Sequence, residues 1–110
     1  MANSYVNAIT SLSATTATSI YTVPTAKVAI VNTVSVYNPT ASNAAALTVQ
    51  VTDTSASATT TFDKATVAAV TRKAFLQNGE VMVLDESDIL KMTAATADYF
   101  DVFVSILEVS

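Results

Sequence analysis

The sequence predicts an all-β fold, a single antiparallel β-sandwich or its jelly-roll variant with about eight short strands. Composition is the first indication, because the 110 residues include 18 threonines and 15 valines but one glycine. Such β-branched side chains favour strands over helices. The second is a period-two alternation of apolar and polar residues, and the third is a turn-type cluster every 8 to 12 residues or so.

Residues 20–38 read as a strand, a turn and a longer strand. Pro24 closes the first strand, because its ring fixes φ and pushes Val23 toward extended geometry. The turn is predicted at residues 23–26, and its type stays open, although a type I turn with proline in its second position needs no glycine. The strand that follows has one apolar face, formed by Val28, Ile30, Val34 and Val36. We expect this face to be buried.

The next segments vary in clarity. Residues 46–53 alternate cleanly and predict a half-buried strand. The polar run 54–61 predicts a loop that enters a short strand near residues 60–62. Residues 64–76 favour a loop with a strand at about 72–77, and a one-turn helix is the alternative.

The C-terminal part begins with Asn78-Gly79, which predicts a β-hairpin because both residues tolerate positive φ. A turn at residues 85–88 leads to a strand at 89–94, and a second turn leads to the last strand at 99–109. The buried face of that last strand is predicted to comprise Phe100, Val102, Val104 and Ile106.

The chain length predicts one domain, large enough to bury a core without covalent cross-links. Residues 18–110 make up the predicted sandwich. Residues 1–17 are either an N-terminal arm that lies on a neighbouring subunit or a first short strand near 4–12, and a frayed tail is a further alternative.

Charge argues against two classes of partner. Five basic and nine acidic residues give a net charge of −4, so we expect no binding to nucleic acid or to an anionic membrane. The longest apolar run is far too short to span a bilayer. The first residues lack the basic start and apolar stretch of a secretory signal, so we do not expect export by the usual route.

Catalysis and metal binding are not expected. With no cysteine and no histidine, the chain lacks disulfides, thiolate metal sites and the commonest general base. Serine and threonine nucleophiles therefore lack an activating base, unless a lysine is buried. The acidic cluster Asp85, Glu86 and Asp88 lacks a calcium-loop pattern, so a solvated turn is favoured over a metal site or a carboxylate pair. We predict no catalytic, cofactor or metal residues.

Two groups of apolar residues are candidate contacts between subunits. The second face of the last strand carries Tyr99, Phe103, Leu107 and Val109, where a solvated sheet would be polar. Its alternatives are a strand covered on both sides within the domain and a bulge near residues 106–107 that swaps the faces. The N-terminal segment supplies Tyr5 and Ile9 as the second group.

The low charge density points the same way. Charged residues are 13% of the chain, against about 25% in a typical domain. Small uncharged side chains suit a surface that neighbours cover, although a plain threonine- and serine-rich β-surface is an equal alternative.

A family resemblance is carried by several of these segments. Residues 21–24, Tyr-Thr-Val-Pro, are followed by Lys27 and by an alternating strand that ends in Tyr37-Asn38. The C-terminal half adds Gly79-Glu80 and a last strand ending Ile-Leu-Glu-Val. Over roughly residues 18–110 this pattern resembles small β-sandwich proteins in the virions of tailed bacteriophages.

The resemblance implies a non-enzymatic structural protein of the virion, assembled in the host cytoplasm. The leading expectation is a capsid decoration, or cement, protein that binds the major capsid protein as a symmetric homo-oligomer such as a trimer. A neck, tail or fibre-associated subunit is the alternative within this class. A carbohydrate- or host-surface-binding module is the alternative from another class.

Overall fold

The computed structural model describes residues 3–12, 15–40, 44–76, 80–95 and 100–110. Within these ranges it contains nine strands and no helix, so the all-β prediction is confirmed, with one strand more than expected. The strands are β1 Asn3–Leu12, β2 Thr18–Thr22, β3 Val28–Asn38, β4 Ala45–Asp53, β5 Ala58–Val67, β6 Thr71–Ala74, β7 Met82–Leu84, β8 Ile89–Ala94 and β9 Phe100–Val109.

The strands form two antiparallel sheets that pack face to face. Sheet A has the order β1-β9-β3-β6, and β7 pairs with the other half of β3. Sheet B has the order β2-β8-β4-β5. Counted with β6 and β7 as one interrupted strand, eight strands alternate between the sheets at most connections, which is the arrangement of a jelly roll.

The core lies between the two sheets and comes from the inward side of every long strand. On β9, Phe100, Val102, Val104 and Ile106 are at most 1% exposed, as the alternation predicted. Leu47 and Val49 of β4 oppose them from sheet B and are fully buried. Close packing of these branched side chains supplies most of the apolar burial that stabilises the fold.

Strand β3 departs from its predicted face. Its register against β9 shifts between Val31 and Thr33, so Asn32 is an extra residue that bulges out of the sheet. The bulge exchanges the two faces of the strand. Val34 and Val36 point inward as predicted, but in the first half Ala29 and Val31 are buried instead of Val28 and Ile30.

Strand β5 is longer than the sequence indicated. The predicted loop and short strand form one ten-residue strand, Ala58–Val67, paired with β4 along its length. Only residues 68–70 separate it from β6, so the loop predicted from residue 64 is shorter than expected, whereas the strand predicted at about 72–77 is present as β6. No one-turn helix forms over residues 64–76. The prediction failed because the polar threonines at 59–61 carry no apolar alternation, yet threonine pairs well in a sheet.

The predicted hairpin is also absent as a paired unit. Among the described residues, β6 and β7 do not pair with each other, and each pairs with β3. Asn78-Gly79 itself lies outside the described residues. The turn at 85–88 is confirmed, with the Asp88 amide donating to the Asp85 carbonyl at 3.1 Å.

The proline turn lies one residue later than predicted. The Lys27 amide donates to the Pro24 carbonyl at 3.3 Å, and Ala26 has a φ of 64°, so this is not a type I turn over 23–26. A positive φ at the third residue is a property of type II turns, in which glycine is the usual occupant. The Ala26 amide donates to the Glu86 carboxylate at 2.6 Å, which holds the turn in place.

Two buried polar side chains join the sheets at opposite ends of β3. At its C-terminal end, the fully buried Asn38 donates from Nδ2 to the Val67 carbonyl of sheet B at 3.0 Å. Beside its N-terminal end, Glu108 of β9 accepts a hydrogen bond from the Tyr21 hydroxyl of β2 at 2.5 Å. These two bonds fix how the sheets align, because an unpaired buried polar group is costly.

Candidate interaction surface

The first strand places the N-terminal segment within sheet A. Residues 3–12 of the predicted arm form β1, which pairs with β9 from Asn3 opposite Val109 to Leu12 opposite Phe100. The register has no shift over its ten pairs. Because paired residues share a face of a sheet, this register decides which side chains lie together on the outer side of sheet A.

One row of apolar side chains crosses four strands on that outer side. Tyr5 of β1 is opposite Leu107 of β9, Leu107 is opposite Ile30 of β3, and Ile30 is opposite Val83 of β7. Tyr5 is 84% exposed and Val83 63% exposed. The row is therefore a continuous apolar strip open on one side.

Two further apolar pairs lie on the same side of the sheet, and a polar row, in which Asn7 is opposite Ser105 and Ser105 is opposite Thr33, lies between the strip and the first of these pairs. Ile9, which is 72% exposed, lies opposite Phe103, which is 39% exposed. At the other end, Val109 lies opposite Val28. We call this whole surface the apolar face of sheet A, and it comprises Tyr5, Ile9, Val28, Ile30, Val83, Phe103, Leu107 and Val109.

Polar groups lie beside the apolar face at one end of the sheet. Ser11 donates to the Asp101 carboxylate at 2.9 Å, and Arg72 donates to the Ser35 hydroxyl at 3.2 Å. An apolar centre with a polar margin is the usual anatomy of a protein–protein interface.

The outer side of sheet B has a different character. Thr48 of β4 lies between Thr93 of β8 and Lys64 of β5, and Gln50 lies beside Lys91. Threonine, glutamine and lysine make this a solvated β-surface of the ordinary kind. The two outer faces of one molecule thus differ strongly in polarity.

The candidate contact residues from the sequence come together on one face. Phe103, Leu107 and Val109 of β9 share the apolar face of sheet A with Tyr5 and Ile9 of β1, while Tyr99 lies outside the described residues. The described part of β9 has no bulge against β1, so the side chains near residues 106–107 do not swap faces. Within the described chain, Phe103 is not covered from outside.

The sequence reasoning missed Val28, Ile30 and Val83, which complete the apolar face. Val28 and Ile30 were assigned to the core because the bulge at Asn32 was not recognised. A signal was present, since Asn32 is a polar residue that interrupts the apolar even-numbered positions between 28 and 36. Such an interruption is typical of a bulge.

The acidic turn is occupied by its own hydrogen bonds. Asp88 accepts from the Asp85 amide at 3.0 Å, and Glu86 accepts from the Ala26 amide. Among the described residues, no three acidic side chains are grouped so as to hold a metal ion. The same ranges contain no pocket.

Tyr21, Glu108 and Lys27 form a cluster between the sheets in which one pKa is shifted. Burial, followed by the hydrogen bond to Glu108, raises the pKa of Tyr21 above its ordinary value. Lys27 lies 3.4 Å from the other oxygen of the Glu108 carboxylate and forms an ion pair with it. Lys27 immediately precedes β3 and is half-buried. The arrangement ties β2, β9 and the proline turn together.

No described helix could cross a membrane, since the described residues form strands and turns.

Comparisons with known proteins give a fold and no family. No protein-family model and no curated protein matches the chain. A solved structure from Bacillus endospore appendages, described as a novel family of disulfide-linked pili, matches with a TM-score of 0.59. The match covers 99% of this chain and 87% of that chain at 14% identity. At that identity the likeness shows the sandwich fold alone.

Proposed function

We propose that this protein is a non-enzymatic structural subunit that acts by assembling with other protein subunits. The observation that carries the proposal is the apolar face of sheet A, an open surface that joins β1, β9, β3 and β7. A large exposed apolar patch with a polar margin marks an interaction site. The apolar face is therefore the contact surface, and burial of its side chains drives assembly.

The energy available from this surface is adequate for weak, repeated contacts. Full burial of an aliphatic or aromatic side chain gives about 1.5–3 kcal/mol, and Tyr5, Ile9 and Val83 are mostly exposed in the single chain. The cost of association offsets part of this gain. Many copies on one particle make such contacts effective through multivalency.

Within this class, we propose a capsid decoration (cement) protein of a tailed bacteriophage. The support is the sequence resemblance, which runs from Tyr21 through the proline turn to the end of the last strand. On this proposal the partners are other copies of the chain, in a symmetric oligomer such as a trimer, and the major capsid protein. A neck, tail or fibre-associated subunit of the virion rests on the same resemblance.

The likeness in fold to a pilus protein supports self-assembly in general. It does not indicate which kind of particle this chain belongs to. Pili are polymers, and the matching structure is described as belonging to disulfide-linked ones. A disulfide link cannot form through these 110 residues, because they contain no cysteine. Assembly of this chain therefore depends on non-covalent burial and strand pairing.

A carbohydrate- or host-surface-binding module is the proposal from another class. Sandwich folds carry many functions. The sequence has no tryptophan for stacking on sugars. The exposed rings of Tyr5 and Phe103 lie on neighbouring strands of an open face, in rows four residues apart. Binding on a glycan array by the unassembled chain would favour this module, and a blank array would retire it.

The test of the proposed function is a matched pair of charge substitutions. Phe103→Asp puts a carboxylate in the apolar face, whereas Thr93→Asp puts one on the outer side of sheet B, also on a central strand. We expect Phe103→Asp to give a folded chain with the mass of a single subunit by light scattering, and Thr93→Asp to keep the mass of the unaltered protein. Retention of the assembled mass by both variants would overturn the proposal.

A further inference from the structure

Strand β1 is an edge strand without the usual protection against pairing. In the described chain, one side of β1 pairs with β9 and no strand pairs with the other side. Its ten residues, Asn3–Leu12, contain no charge and no proline, and its register has no bulge. In natural proteins an edge strand is normally protected by a charged residue, a proline, a bulge or a short length. Protection is needed because an open edge offers unpaired backbone groups to another chain.

The other edges of this molecule are blunted in these ways. β2 has five residues and a register shift after Ser19. β5 carries Asp63 and Lys64 beside its own register shift. β6 and β7 have four and three residues, and β6 includes Arg72 and Lys73. The contrast leaves β1 as the one long, flat and uncharged edge among the described strands.

We propose that β1 pairs antiparallel with β1 of a second copy of this chain, about a two-fold axis through Asn7. This inference rests on the proposed function and specifies one of the contacts through which the subunit assembles. An identical strand is the partner that β1 fits best. It matches the length of the open edge, and two uncharged strands bring no like charges together.

The register follows from the faces of the strand. Because the two copies must keep their outer residues on the same side, odd-numbered residues of β1 pair with odd-numbered residues. With Asn7 at the centre, Tyr5 of each copy lies opposite Ile9 of the other, and the two Asn7 side chains face each other. Aromatic–β-branched pairs are favourable across strands, and paired amides can exchange hydrogen bonds.

Neighbouring registers are poorer on the same criteria. A centre at Ala8 places Tyr5 opposite Ser11, and a centre at Val6 places Tyr5 opposite Asn7. Both leave the aromatic ring beside a small polar side chain. The register centred on Asn7 also brings the apolar faces of the two copies side by side, because Tyr5 and Ile9 belong to that face.

Opposite charges at the centre of the pair provide the test. Asn7 is exposed in the single chain, so Asn7→Lys and Asn7→Glu should each fold. Either variant alone places two like charges face to face, and we expect its dissociation constant to rise by about 100-fold. An equal mixture of the two variants should regain the assembled mass by light scattering, because lysine then faces glutamate.

A second measurement removes any dependence on charge. The chain has no cysteine, so Asn7→Cys supplies a single thiol that the two-fold pair brings within disulfide range of its copy. Oxidation should yield a cross-linked dimer from Asn7→Cys, whereas Ser11→Cys, which faces Asn3 of the other copy, should stay uncross-linked.

The outcomes separate this inference from the proposed function. If both charge variants dissociate but their mixture does not reassociate, β1 pairs with a different edge and the two-fold pairing is overturned. If Asn7→Lys and Asn7→Glu keep the assembled mass while Phe103→Asp loses it, the edge pairing is overturned and the proposed function stands. Equal cross-linking of the two cysteine variants would overturn the register.

Discussion

The outer sides of the two sheets obey the same backbone geometry and differ in chemistry. Both sheets turn every second side chain away from a shared core. Around Thr48 and Lys91 the outward residues of sheet B are threonine, glutamine and lysine, although β5 also has Phe62 exposed. In sheet A most outward positions on either side of the polar Asn7–Ser105 pair hold aromatic and aliphatic residues, as at Ile9 and Phe103.

The difference shows that the fold does not by itself dictate the polarity of a sheet's outward side. An antiparallel sheet with one solvated side normally alternates between apolar and polar residues, and sheet B follows this rule. In sheet A buried and exposed residues still alternate along the strands, but several of the exposed ones are apolar, such as Phe103 and Val83. The uncovered side of sheet A is therefore the side suited to a partner.

The largest effect on assembly is expected from replacing apolar outward residues of sheet A with threonine, a residue common on the outer side of sheet B. The triple variant Ile9→Thr, Phe103→Thr and Leu107→Thr retains residues with good strand propensity, so the subunit should fold. Loss of three apolar contacts should raise the dissociation constant of the assembly about 100-fold, measured by analytical ultracentrifugation.

The matched control makes three outward changes in sheet B, Thr48→Ala, Gln50→Ala and Thr93→Ala. It should leave the dissociation constant unchanged, because these side chains lie away from the apolar face. An equal loss of assembly in both triple variants would show that the two faces do not differ in function.

An intermediate effect is expected from the hydrogen bond between Tyr21 and Glu108, which joins the two sheets inside the sandwich. Tyr21→Phe removes the hydroxyl that donates to Glu108 and leaves one oxygen of a buried carboxylate without that donor. We expect the free energy of unfolding to fall by about 2 kcal/mol, measured by urea denaturation at neutral pH. An unchanged free energy would show that this bond does not hold the sheets together.

The same variant tests the pH dependence. The pKa of Tyr21 is raised in the folded chain, whereas an unfolded tyrosine titrates near pH 10. The stabilisation is therefore complete below about pH 10 and is lost as the pH rises through the folded pKa. The gap in stability between the unaltered chain and Tyr21→Phe should narrow in alkali.

The smallest effect is expected at a site that belongs to neither outer face. Ala26 has a φ of 64°, which costs an L-residue more than it costs glycine. Ala26→Gly should raise the free energy of unfolding by about 0.5 kcal/mol, because the greater freedom of glycine in the unfolded chain offsets part of the gain.

The assembled mass of Ala26→Gly should equal that of the unaltered chain. Thr25→Gly, in the same turn, is the matched control and should not stabilise the fold, because the positive φ lies at Ala26. If Ala26→Gly changed the assembled mass but not the free energy of unfolding, the proline turn would take part in assembly. The apolar face of sheet A would then not be the sole contact surface.

The sequence predicts the structure best in strands along which inward apolar residues alternate without interruption. The strands predicted at 46–53 and 99–109 alternate without interruption, and the core residues predicted for the last strand, Phe100, Val102, Val104 and Ile106, are buried. It failed at β5, where the threonines at 59–61 carry no apolar alternation although the strand pairs with its neighbour in the chain, β4. It failed also where pairing depends on a distant partner, since the pairing of both β6 and β7 with β3 cannot be read from local turn residues.

The candidate surface was predictable in part for the same reason. Phe103 and Leu107 were visible because they violate the polarity expected of an outward face. Their alignment with Tyr5 and Ile9 required the register of β1 against β9, which no local pattern gives. Val28 joined the face only because one inserted residue, Asn32, reverses half of β3.

The pairing of Asn3 with Val109 also has a mechanical consequence. Tension applied at these two residues would pull β1 and β9 apart from one end, so their hydrogen bonds would break one pair at a time. Tension carried along the strands through side-to-side contacts would instead load many bonds of an antiparallel ladder together. A subunit of this shape resists force best when its neighbours hold it by faces and edges, and worst when it is pulled at the two ends of its sheet.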